Sequence, residues 1–308
     1  MITPSNTAPE SPVDPRISPP LAARATRPMY WSIRRELWEN RSIVIAPLAV
    51  AAVFLLGFLI SLGHFPERRR ALLLLDPQRQ RIAVEQSYHI AAIIIILTAF
   101  LVGVFYCLDA LHGERRDRTI LFWKSLPVSD LTTVLAKASI PLAVLPLIVF
   151  VIIACLQVIM LTASNAVLLA HGMDATTWEQ LPLFRSFPIL LYGLVALALW
   201  HAPIYGWLLL VSAWARRATF LWAVLTPLAI CLVEKIAFDT SYVASMLGSR
   251  FLGFAGEAFA FGVHGTFDSF DQLTPLRYLS VPGLWIGLAI AAAFIAGAVR
   301  LRRYREPI

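Results

Sequence analysis

The sequence predicts an all-α integral membrane protein: six transmembrane helices, a short amphipathic helix before the first, and a further helix in a polar cytoplasmic loop. Three observations carry that prediction. Hydrophobic residues make up 58% of the chain and its mean hydropathy is positive, against roughly 45–50% apolar content in a soluble domain. Six apolar runs, at residues 43–62, 90–111, 140–163, 189–213, 220–236 and 281–299, are long enough to cross a bilayer core as helix. In lipid, helices are the only open-ended structure that satisfies its own backbone. The formal charge of +7 comes from Lys and Arg gathered at the ends of these runs, the pattern of topology-setting charge rather than of a nucleic-acid face.

Residues 1–27 are rich in Pro, Ser, Thr and Ala and lack an apolar core, so they are expected to form a disordered cytoplasmic tail. They show no signal-peptide pattern. The membrane domain follows, over residues 28–308. In its first segment Tyr30, Trp31, Ile33, Leu37 and Trp38 alternate with Arg34, Arg35, Glu36, Glu39 and Arg41. Trp31 and Trp38, seven apart, share one helical face, which fits either an amphipathic helix lying in the membrane interface or the cytoplasmic start of the first span.

With both termini inside, 17 of the 26 basic residues fall on the cytoplasmic side, as the positive-inside bias requires. One outer loop resists, since it holds Arg68, Arg69, Arg70, Arg79 and Arg81. Residues 114–137 form the strongly charged interior loop, with Arg115, Arg116, Arg118, Lys124 and Lys137 around an apolar block of Ile120, Leu121, Phe122 and Trp123. A short helix of that kind can press into a groove on another protein. Pro127 ends it, and Ser129 with Asp130 can cap the next helix. Pro141 and Pro146 are placed to kink the third span. The segment 246–263 is too broken by Gly, Arg250 and Glu257 for a span yet too apolar for plain loop; it reads as a pair of re-entrant helices or as an interfacial helix.

Candidate chemistry is sparse. The chain has no H-E-x-x-H, no G-x-S-x-G and no G-x-x-x-x-G-K-[ST] phosphate loop, so it does not bind ATP by that route. Cys107, Cys155 and Cys231 lie in apolar runs without metal-ligand spacing. Polar residues inside the spans have two readings each. Glu234 and Lys235 are either a local bond with a snorkelling lysine or part of a translocation gate. His201, one turn before Tyr205 and two residues before Pro203, is either a satisfied core histidine filling the backbone site that proline frees or a relay. Gln157 is either an interhelical hydrogen bond or a ligand contact.

The order of residues 114–137 carries a resemblance: an acidic residue with basic neighbours, Thr119, an apolar block, Leu126-Pro127-Val128-Ser129, and Lys137 eight residues after that Ser. It resembles the coupling loop between the second and third spans of type-2 ABC exporter permeases. The likeness extends to an interfacial helix, six spans, cytoplasmic ends and short re-entrant helices in the last outer loop. Ala136 and Arg118 stand where those proteins commonly have Gly.

The resemblance implies a transport subunit, not an enzyme: the permease of an ATP-binding-cassette exporter, multi-pass in the cell (inner) membrane with cytoplasmic N- and C-termini. It implies an ABC ATP-binding subunit as partner, with ATP and Mg2+ bound there and no cofactor on this chain, and a second permease copy or paralogue in the same bilayer. Docking would fall to Glu114, Arg115, Arg118, Thr119, Leu121, Phe122, Trp123, Pro127 and Ser129, with a helix over 114–125 seated in a groove of the ATPase. Leu121, Phe122 and Trp123 would form its ridge, ringed by ion pairs from Glu114, Arg115 and Arg118, or else that ridge packs on its own bundle. Gln157, His201, Tyr205, Glu234 and Lys235 are candidates for the translocation pathway. Two other functions compete: an intramembrane enzyme using His201, Glu234 or Asp109, and a secondary transporter, for which an inverted repeat is missing.

Overall fold

The computed structural model describes residues 28–64, 67, 76–120, 123, 128–172, 183–259 and 273–304. The tail expected over residues 1–27 and the cluster Arg68, Arg69 and Arg70 lie outside them. Among the described residues six helices are long and apolar enough to cross a bilayer, in the expected order, so the chain is a multi-pass membrane protein. Among the described residues there is no strand, only an isolated bridge between Phe259 and Leu273.

Helix α1 (Pro28–Glu39) is joined to the first span, α2 (Ser42–Ser61), by Asn40 and Arg41 alone. The second span, α3 (Pro77–Ala110), starts well before its apolar run. Pro77 sits at the first helical position, where its missing N–H costs nothing, and Arg79 and Arg81 ride on the opening turns. A one-residue turn at Leu111 leads to α4 (His112–Arg116).

The third span is built in three pieces. Ser129 caps α5 (Asp130–Ser139), its Oγ accepting from the Thr132 N–H at 3.1 Å, as the Ser-Asp pair predicted. A π-helical turn at Ile140–Val144 then contains Pro141, which removes a backbone donor where the coil widens. Helix α6 (Leu145–Ala170) continues from there with Pro146 in its first turn.

The fourth span, α7 (Leu183–Trp214), is the most buried of the six and packs along the last, α12 (Pro282–Tyr304). A Cβ on Gly206 would lie 3.2 Å from the Ala291 carbonyl oxygen and 3.3 Å from its Cα, so glycine is what lets the two backbones touch. Ile43, Ile95, Ile153, Met160, Leu161 and Leu209 fill the centre where α2, α3, α6 and α7 meet. Because lipid is as apolar as leucine, these contacts hold the bundle through close packing, and polar ties carry the remainder.

The fifth span, α8 (Thr219–Phe238), fully buries only Ala223 and leaves most of its other side chains exposed. Left-handed residues bound it, Ala218 at φ 51° and Asp239 at φ 50°. The chain then reverses into α9 (Tyr242–Leu252) and α10 (Phe254–Ala258), with α11 (Pro275–Ser280) before the last span. The eleven residues of α9 reach about 16 Å, and the Trp200 indole N–H, midway along α7, donates to the Ser249 carbonyl at 3.0 Å. The two short helices therefore fold back to about half the depth of the bundle. That is the arrangement of a re-entrant pair rather than of a helix lying flat on the surface.

Candidate functional site

The densest polar chemistry lies at one end of the bundle, where α1, α4, α5 and the last turns of α12 meet. Glu36 projects from the inner face of α1 and is 1% exposed; Lys137 of α5, 2% exposed, reaches it with Nζ 2.9 Å from Oε1. The same ammonium lies 3.2 Å from Oε1 of Glu114 on α4. Arg302 of α12 places Nη2 3.2 Å from the other oxygen of Glu114 and pairs with Asp130 through Nη1. Arg35 closes the ring, 2.8 Å from Glu36 and 3.2 Å from Glu114, and the buried Tyr106 hydroxyl donates to Glu36 at 2.9 Å.

Three carboxylates thus meet three cations. Each ion gives up several kcal/mol of hydration on burial, so such a cluster survives only when every partner is present. Electrostatics at its rim follow the same logic. Burial raises the pKa of Glu39 above the usual carboxylate value, against the lowering pull of Arg35, whose Nε is 3.4 Å away.

A second set of ties fixes the start of the loop to the end of α7. Ser212 Oγ accepts from the backbone N–H groups of Leu111, at 3.0 Å, and His112, at 2.9 Å, satisfying donors that the first turn of α4 leaves free. Arg115 Nη1 donates to the carbonyls of Ala213 at 2.7 Å and Ala215 at 3.3 Å. A cation on the last carbonyls of a long helix also meets the negative end of its dipole.

This geometry corrects two expectations for the 114–137 loop. Glu114 and Arg115 do not ring an outward ridge: both are buried and spend their charge within the chain. Nor is there one helix over 114–125, because Asp117 and Arg118 break it, with Arg118 left-handed at φ 58°. Only residues 119, 120 and 123 are described as helical beyond that break. Arg118 and Thr119 are exposed, the Thr119 hydroxyl donating to the Glu114 carbonyl at 3.4 Å. Ile120 is buried, and Trp123 is half-buried with the Arg35 guanidinium 3.7 Å above its ring, so this indole packs on α1. Ser129 is the exposed cap of α5. Leu121, Phe122 and Pro127 lie outside the described residues.

The residues considered for a pathway do not converge. His201 Nδ1 bonds the Leu197 carbonyl at 2.8 Å, not the Leu199 carbonyl four residues before Pro203, so it does not fill the site that proline frees. Its ring packs among Phe100 and Phe254, with centroids 5.3 and 6.2 Å away. Tyr205, 6.2 Å from Phe100, lines a narrow apolar crevice with Pro141, Leu145 and Leu197. Gln157 keeps a buried Oε1 without a hydrogen-bond partner among the described residues. Glu234 accepts from the N–H groups of Tyr242 and Val243, at 2.7 and 2.8 Å, and from Thr240, at 2.9 Å. It therefore caps α9. Lys235 pairs with Asp239 at 2.6 Å in an exposed position. Among the described residues His201 and Glu234 share no partner, and Asp109 belongs to the loop end beside Arg116, at 3.8 Å.

Sequence reasoning missed Glu36, Tyr106, Asp130, Lys137 and Arg302 as members of one cluster. The available signal was that Glu36 falls opposite the Trp31–Trp38 face, which turns it inward. No family model, curated protein or solved structure matches this chain.

Proposed function

We propose that this chain is the membrane-spanning permease subunit of an ATP-binding-cassette exporter, driven by a separate ATP-binding subunit that docks on the loop between the second and third spans. The observation that carries this reading is the clasp: the loop is bonded, through Glu114, Arg115 and Lys137, to α1, α7 and α12 at the same end of the bundle. A push on the exposed Arg118–Thr119 corner would then be delivered to several spans at once, as a rigid-body transfer requires. The missing phosphate loop fits a subunit that takes its energy from a partner. The docking surface is the exposed corner at Arg118 and Thr119, while Glu114, Arg115 and Trp123 form its backing.

The test is a photo-crosslinking amino acid placed at Thr119 in the producing cells, with adducts identified by mass spectrometry. The expected adduct is an ATPase bearing a Walker phosphate loop. Adducts that never include such an ATPase, or transport by the purified chain without nucleotide, would reject the reading.

A further inference from the structure

The outward face of α1 takes no part in the clasp. Trp31, Arg34 and Trp38 stand at spacings of three and four and so form one row. The Arg34 guanidinium lies 5.3 Å from the Trp31 ring centroid and 4.6 Å from that of Trp38. The two indoles nevertheless remain 55% and 65% exposed, a large apolar area for a helix face with nothing among the described residues packed over it. Tyr30, also exposed, sits edge-on to Trp31 at 5.4 Å. Arg34 has no carboxylate partner among the described residues, since Arg35 is the arginine that takes Glu36, Glu39 and Glu114.

Location narrows the occupant. Only Asn40 and Arg41 separate α1 from the first span, whose opening turns expose Val44, Ile45 and Leu48 as a membrane-spanning helix exposes side chains to lipid. The opposite face of α1 is pinned to the bundle by Glu36. The Trp–Arg–Trp row therefore ends a few residues from where the lipid-facing surface begins, and the exposed Arg41 adds a second cation there.

We propose that Trp31, Arg34 and Trp38 bind the phosphate of an anionic phospholipid in the leaflet that meets α1. Indoles are stable at that depth, with an apolar body and one polar edge. Held between them by cation–π contact, the guanidinium keeps its N–H edge free for two phosphate oxygens. An anionic headgroup is selected over a zwitterionic one because the uncompensated charge of Arg34 and Arg41 attracts net negative charge. Since Glu36 lies on the other face of the same helix, lipid on one side and clasp on the other hold α1 in one position. The site stands whether or not the chain is a permease.

The test uses the full-length protein, delipidated in detergent and titrated with phosphatidylglycerol or phosphatidylcholine, with bound lipid counted by native mass spectrometry. Wild type takes up phosphatidylglycerol in preference. Arg34→Gln lowers that affinity about fivefold, the size of one surface arginine contact, with helicity and thermal midpoint unchanged. Arg34→Lys retains part of the affinity, and Arg217→Gln, at the exposed turn between the fourth and fifth spans, retains all of it. Unchanged binding by Arg34→Gln, equal affinity for the two lipids, or the same loss in Arg217→Gln overturns the proposal. So does a Trp31→Ala/Trp38→Ala double variant that keeps its lipid and instead loses a protein partner.

Discussion

The two ends of the bundle are held together by different chemistry. At the end carrying α1 and α4, side-chain charges meet across long stretches of sequence, Arg302 with Glu114 and Lys137 with Glu36. At the opposite end, beyond the local Lys235–Asp239 and Thr240–Glu234 contacts, the ties between distant segments run from side chains to backbone. The Tyr278 hydroxyl donates to the Ala196 carbonyl at 2.8 Å, Tyr192 to Ala258 at 3.0 Å, and Arg250 to the Gly283 carbonyl over the face of Trp200. Gly287 makes room there, since a Cβ would lie 2.6 Å from Arg250 Nη2. Backbone acceptors stay put when a side chain is lost, whereas a charge cluster leaves a buried ion behind. The clasp end is therefore brittle to single substitutions, and the far end is tolerant.

The sharpest way to break that contrast is Lys137→Met, which removes the more buried of the two cations that Glu36 and Glu114 share and leaves Arg35 alone between them. A cost of about 3–5 kcal/mol is expected, seen as a lowered unfolding midpoint in detergent, with part regained when Glu36→Gln is added. A loss under about 0.5 kcal/mol would place Lys137 among ordinary surface changes. Arg115→Met should cost about 1.5–3 kcal/mol, because a charged donor to two carbonyls is removed; the same midpoint assay reads it. Tyr278→Phe, at the tolerant end, should cost only about 1 kcal/mol for one neutral hydrogen bond. If it matched Lys137→Met, the contrast between the ends would be false. Smallest, and of opposite sign, Arg118→Gly should stabilise by up to about 1 kcal/mol, because only glycine occupies the left-handed region freely.

What the sequence disclosed was whatever repeats locally. Apolar runs located six helices, Ser129 followed by Asp130 marked a cap, Pro141 fell in the π-helical turn of the third span, and the Gly-broken segment after residue 245 stood out from both span and loop without choosing between a re-entrant pair and an interfacial helix. The charged loop was visible, but its inward face was not. Glu114, with arginines beside it, has the local appearance of a solvated residue, and no periodicity joins it to Lys137 or Arg302. Burial of a charge is decided by partners that arrive from elsewhere in the chain. The break at Arg118 was hidden for a related reason, since an arginine gives no local sign of a left-handed backbone. His201 was legible as a core histidine, but its acceptor was misassigned because Pro203 drew attention to the wrong carbonyl.

The central claim is that the loop and the last span are joined as one body through Glu114 and Arg302. A double-mutant cycle with Glu114→Gln, Arg302→Gln and the pair, read as unfolding free energy in detergent, tests it most directly. A coupling energy of about 1–3 kcal/mol is predicted. Additivity within about 0.5 kcal/mol would show that the two side chains act independently and would contradict the claim that Glu114 and Arg302 join the loop to the last span.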